Sequence, residues 1–102
     1  MTIEETREGG RLRLKITGRL DSMTSRELEA TLRSGVEGIT QLEFEMRETE
    51  YVSSAGLRVI LAAQKVMNRQ GSLTILNPNR AVTEVFEITG FSEILTILED
   101  TP

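Results

Sequence analysis

The ten residues Tyr51-Val52-Ser53-Ser54-Ala55-Gly56-Leu57-Arg58-Val59-Ile60 constrain this chain more than any other stretch. A short extended segment meets two hydroxyl side chains, and behind them Leu57, Val59, Ile60, Leu61, Ala62, Ala63, Val66 and Met67 follow within one helical length. A helix apolar over so much of its circumference has to be covered by other elements. The chain must therefore turn from strand to buried helix at the serines, with the helix running over about Ser54–Arg69 and Gly71 ending it. The first turn of a helix leaves backbone N–H groups unpaired and carries about half a positive charge. A serine there can cap the helix through its hydroxyl, or carry a phosphate that the same N–H groups help to hold. The residues alone leave both roles open for Ser53 and Ser54.

The rest of the pattern supplies what covers that helix. Leu12, Leu14 and Ile16 alternate with Arg13, Lys15 and Thr17, and Leu42, Phe44 and Met46 alternate with Glu43, Glu45 and Arg47, which predicts two strands with one buried face each. Gly9-Gly10 between Ile3 and Leu12 predicts an opening hairpin. Thr24 with Glu27 fits a capping box for a helix over Thr24–Ser34, closed by Gly35. After a strand at Leu73–Leu76, Asn77-Pro78 reads as N-cap and first helical residue. Val82, Val85, Phe86 and Thr89 share one helix face and Gly90 stops it. Ile94–Leu98 is the expected last strand. The order β-β-α-β-α-β-α-β predicts an α/β fold, a mixed and mostly parallel sheet with an N-terminal antiparallel hairpin and about three helices.

Composition limits the chemistry. The 102 residues suit one domain with a modest core. No apolar run approaches a membrane span and no signal-peptide pattern opens the chain, so a cytoplasmic location and no membrane partner are expected. A net charge of −4 with interleaved signs gives no basic stripe for nucleic acid. Histidine and cysteine are both absent, which removes disulfides, thiolate chemistry and Cys/His zinc sites and leaves a poor toolkit for an enzyme. No phosphate-binding Gly-x-x-x-x-Gly-Lys loop is present, and no cofactor is expected. Glu43, Glu45, Glu48 and Glu50 read as a solvated strand edge rather than a metal site. Met23, Met46 and Met67 read as packing residues.

Gly18-Arg19-Leu20-Asp21, the Tyr51–Leu57 corner and Gly90-Phe91 together resemble the STAS domain in its stand-alone bacterial form, the anti-sigma factor antagonist. The similarity runs from about Ile3 to Leu98. It implies a binding protein that acts by partner switching. In its unphosphorylated form such a protein binds an anti-sigma factor with serine/threonine kinase activity and so releases the sigma factor. Phosphorylation of one serine breaks that complex, and a metal-dependent serine phosphatase restores it. Aligned on Gly56-Leu57, the phosphorylated position falls on Ser54, with Ser53 where relatives often carry an acidic residue. Asp21 matches the family's acidic residue after the second strand. The resemblance thus implies a partner-binding surface of Asp21, Ser53, Ser54, Ala55, Gly56 and Arg58, the last one turn beyond Ser54.

Two departures accompany the resemblance. Glu45 stands where relatives commonly carry Asp, and the further C-terminal helix of many relatives is not expected after the last strand. Apolar surface left bare by that absence would suit a weak homodimer. The competing reading is a constitutive protein-binding module of the same fold, in a scaffold or lipid-transport complex, in which Ser54 is never modified.

Overall fold

A computed structural model describes residues 1–99. Its elements are β1 (Thr2–Glu8), β2 (Arg11–Leu20), α1 (Thr24–Gly35), β3 (Gln41–Glu45), β4 (Thr49–Val52), α2 (Ser54–Gln70), β5 (Ser72–Leu76), α3 (Arg80–Thr89), a short 3-10 turn at Phe91–Glu93 and β6 (Thr96–Leu98). The sheet runs β1-β2-β3-β5-β6, with β4 paired to β2. The β1–β2 hairpin is antiparallel, and every other pairing is parallel. The α/β class, the hairpin and the three helices are those expected from the pattern.

The alternating residues of β2 and β3 meet in register, Leu12 beside Leu42 and Leu14 beside Phe44, with Leu73 and Ile75 of β5 continuing the rows. These side chains join Leu28, Ile60, Met67, Val82 and Phe86 from the helices in one core. On the other face of the sheet, Arg11 and Arg13 of β2 both donate to Glu43 Oε1, at 2.9 and 3.0 Å. Burial pushes the Glu43 carboxyl up, and the hydrogen bonds and charges of the two arginines more than reverse this, so its pKa lies below the ordinary value. Glu43 and Glu45 therefore do not lie on a solvated edge. They sit on a central strand, and Glu45 accepts from Asn77 Nδ2 (2.6 Å) and from the Arg47 N–H (2.7 Å). Among the described residues no group of three or more His, Cys, Asp or Glu is placed to hold a metal ion.

Several local expectations are corrected. Among the described residues the sheet has six strands rather than five, because the residues leading into the serine corner, Thr49–Val52, form a separate strand that pairs with β2. Strand β2 is ten residues long and bends at Gly18, where φ is +97° and the register shifts. It pairs with β3 up to Lys15 and with β4 from Gly18 onward. At the changeover, Thr49 is wholly buried and its hydroxyl donates to the Ile16 carbonyl at 2.6 Å, while the Gly18 N–H reaches the Glu48 carbonyl at 3.0 Å.

The third helix starts two residues later than Asn77-Pro78 suggests. Asn77 takes a left-handed conformation (φ 54°) and spends its amide on Glu45, and Asn79 is the N-cap, accepting from the Val82 N–H at 3.1 Å. Residues 94 and 95 precede β6 instead of belonging to it, because the 3-10 turn occupies the approach. Met46 and Met67 are buried as expected, but Met23 is 80% exposed and lies outside the buried core. The expected absence of a helix after the last strand concerns residues beyond Glu99 and lies outside the described residues.

The Thr49–Ile16 contact generates a stability test. Thr49→Val keeps the shape of the side chain and removes its donor, leaving a buried carbonyl without that partner. The expected loss is about 1–3 kcal/mol, read as a lower midpoint in urea unfolding with unchanged slope.

Candidate functional site

Strands β2 and β4 are parallel neighbours whose last residues, Leu20 and Val52, lie side by side. The Ser53 N–H then donates to the Leu20 carbonyl at 2.9 Å. Each strand is followed by a helix, so Asp21 and the two serines leave the sheet together, 32 positions apart in sequence yet adjacent in space.

The two serines divide the work. Ser53 is the N-cap of α2, with extended backbone, and its Oγ accepts from the Gly56 N–H at 3.2 Å. Ser54 is the first helical residue and is exposed, and its hydroxyl has no protein partner among the described residues. Gly56 is buried beneath them. A Cβ there would sit 2.9 Å from Leu20 Cγ and 3.0 Å from the Leu20 carbonyl oxygen, so the missing side chain is what lets α2 descend onto the end of β2.

Asp21 organises the facing turn. Its Oδ1 accepts from the backbone N–H groups of Met23 and Thr24, both at 3.0 Å, and Thr24 Oγ1 accepts from the Asp21 N–H at 2.8 Å. This is a capping box, but its members are Asp21 and Thr24 rather than Thr24 and Glu27. The Thr24 hydroxyl points back toward Asp21 and the Arg19 carbonyl, so it is not available to the helix N–H groups ahead of it. The backbone N–H bonds from Thr24 and Met23, aided by the Thr24 hydroxyl and the Arg19 charge, hold the Asp21 carboxyl below its usual pKa.

The first turns of α1 and α2 flank a shallow cleft of about 270 Å³, with Ser22, Arg26 and Glu29 on one side and Ala55 and Arg58 on the other. Neither the Arg26 nor the Arg58 side chain has a hydrogen-bond or ion-pair partner among the described residues. Beside them, the Arg19 guanidinium lies 4.4 Å from the centroid of the Tyr51 ring. Farther along the helix pair, Leu32, Val36, Val59 and Val66 line an apolar groove of about 190 Å³. The fold thus gathers Asp21, Ser53, Ser54, Ala55 and Arg58 at one end of the sheet, with Gly56 as the packing residue below. Sequence spacing does not single out Arg19 or Arg26 for this site. Strand pairing brings the first, and the side-by-side helices bring the second.

The family model described as "Mlab, STAS domain" matches residues 3–99. The chain belongs to the STAS domain family. Its relatives include BtrV of Bordetella bronchiseptica, provisionally named an anti-sigma factor antagonist, which is 36% identical over 84 residues, covering 80% of this chain and 72% of that protein. The anti-sigma-B factor antagonist of Staphylococcus aureus is 28% identical over 103 residues, covering 99% and 95% of the two chains. Among solved structures, the anti-sigma factor antagonist SpoIIAA in its unphosphorylated form superposes with a TM-score of 0.86 at 16% identity, covering 98% of this chain and 89% of that one. No helix among the described residues is long and apolar enough to cross a membrane.

Two substitutions separate the roles at the corner. Ser53→Ala removes the cap and is expected to cost about 1 kcal/mol, whereas Ser54→Ala leaves thermal and urea midpoints unchanged. Gly56→Ala tests packing against propensity. Helix propensity alone predicts a gain of about 1 kcal/mol, but the contact with Leu20 predicts a loss of about 1–3 kcal/mol. A raised melting temperature for Gly56→Ala would contradict the close approach described above.

Proposed function

We propose that this protein is an anti-sigma factor antagonist whose binding is controlled by phosphorylation of Ser54. In its unmodified form it binds an anti-sigma factor that is also a serine/threonine kinase, and the sigma factor is set free. The kinase transfers phosphate to Ser54, the complex dissociates, and a metal-dependent serine phosphatase resets the protein. It works by binding, not by catalysis.

The observation that carries this reading is the division between the serines. Ser53 supplies the cap, and the Ser54 hydroxyl, exposed at a helix N-terminus, has no protein partner among the described residues. A phosphate there adds about −1.5 to −2 charges without removing a bond the fold uses. The helix dipole offsets only about 0.3–1 kcal/mol of any repulsion from a partner. Release then follows from a blocked interface rather than from refolding. The relatives support the same reading: BtrV and the S. aureus protein are named as antagonists, and SpoIIAA is known in both an unphosphorylated and a phosphorylated form.

The completeness of the corner without a phosphate favours one second reading, a constitutive binding module in which Ser54 is never modified. Phosphopeptide mass spectrometry separates the two. Trypsin releases residues 48–58, which isolate Ser53 and Ser54 with Thr49 and Tyr51 as the other hydroxyl residues. Phosphate is expected on Ser54 in a fraction that changes between stressed and unstressed cells. Ser54→Asp is expected to lower affinity for the anti-sigma factor by at least tenfold, about 1.4 kcal/mol, with the fold intact. Affinity unchanged by Ser54→Asp, with no phosphate found on a well-covered peptide, would favour the constitutive module.

A further inference from the structure

Phosphorylation of Ser54 leaves one feature of this surface without a purpose. Met23 is 80% exposed beside the capping box, and Tyr51 is 41% exposed with Arg19 stacked on its ring. Neither Met23 nor Tyr51 belongs to the buried core. Single exposed apolar residues are ordinary on a protein surface. These two stand out because they share one end of the sheet. Met23 lies two residues from Asp21, and Tyr51 lies on β4, paired with Arg19 and three residues before Ser54. Methionine, tyrosine and arginine are among the types enriched at protein interfaces. Arg26 and Arg58 add two cations with no protein partner among the described residues on the neighbouring cleft.

We propose that Met23 and the Arg19–Tyr51 pair are the anchors by which the anti-sigma factor grips this chain, at the end of the sheet where Ser54 also stands. This rests on the antagonist reading given above. The complementary patch on the partner is an apolar socket bordered by carboxylates, which face Arg26 and Arg58. The anchors supply affinity that salt does not screen, while the arginines supply a part that salt does screen. A phosphate on Ser54 sits one helical turn from Arg58 and competes with the partner's carboxylates for it, so modification weakens the charged part directly.

The test is a titration of the purified full chain with the purified anti-sigma factor kinase from the same organism, at two salt concentrations. Met23→Ala, Met23→Gln and Tyr51→Ala are each expected to weaken binding at least tenfold at both salt concentrations. Ile88→Ala, which removes a side chain 86% exposed in the last turn of α3, is expected to bind within twofold of the wild type. Arg58→Ala combined with Arg26→Ala is expected to lower affinity at low salt and flatten its salt dependence. Melting temperatures identify any variant whose loss comes from unfolding, and the two Met23 variants keep the test open if Tyr51→Ala is destabilised. Wild-type binding with both Met23 variants within twofold of it would overturn the anchors and leave the antagonist reading standing. An equal loss for Ile88→Ala would overturn them too. A folded wild type that does not bind the anti-sigma factor would instead overturn the antagonist reading, and the anchors with it.

Discussion

The hydrogen bond from the Thr49 hydroxyl to the Ile16 carbonyl holds together the part of the sheet on which the site depends. Strand β2 serves two parallel partners in succession, and the bend at Gly18 interrupts the ladder between them. A buried carbonyl left open at such a break costs roughly as much as a lost hydrogen bond. The threonine closes it from inside the core and fixes where β4 begins. From that point the register is set: Leu20 lies beside Val52, and the Ser53 N–H meets the Leu20 carbonyl. Everything the site needs is placed by that alignment.

The framework was largely legible in the sequence, because burial imposes a period. Leu12, Leu14 and Ile16 face the core for the same reason that Leu42 and Phe44 do, and an apolar run such as Leu57–Met67 has few soluble alternatives to a covered helix. The corner was legible too, since a serine pair between an extended segment and that run can only stand at a helix mouth. What escaped was set by tertiary contacts. Glu48-Thr49-Glu50 alternates no apolar residues and reads as a connection into the corner, yet β2 has backbone groups to spare beyond Lys15 and pairs with Thr49–Val52 as a separate strand. Asn77 carries a better local capping signal than Asn79. Even so, the Glu45 carboxylate claims the Asn77 amide, and Asn79 gains further bonds by donating to the carbonyls of Arg47 and Thr49.

The same competition explains the capping box at α1. Thr24 and Glu27 have the right spacing, but Asp21 and Thr24 have it as well, and a carboxylate is the stronger acceptor for backbone N–H groups. Asp21 therefore carries structural work that the family resemblance does not assign to it. Its carboxyl shapes the loop that faces Ser54 whether or not a partner touches it. A loss of binding on replacing Asp21 would therefore mix a disturbed loop with a lost contact, whereas the exposed side chains of Met23 and Arg58 can be removed without that ambiguity.

Charge at this surface can change in few ways. The chain has no histidine and no cysteine, so it holds no side chain whose ordinary pKa lies between about 5 and 8. Asp21 moves further from that range, because its folded pKa is lowered. The stability its ionised form contributes is complete above the unfolded pKa, and it is lost only as the pH falls through the lower folded value. Near neutral pH, then, no proton gained or lost by an unperturbed side chain can switch the corner, and no disulfide can form to do so. Of the two serines at the corner, Ser53 is engaged as a cap and the Ser54 hydroxyl has no protein partner among the described residues, so a group added to Ser54 breaks no bond that the fold uses.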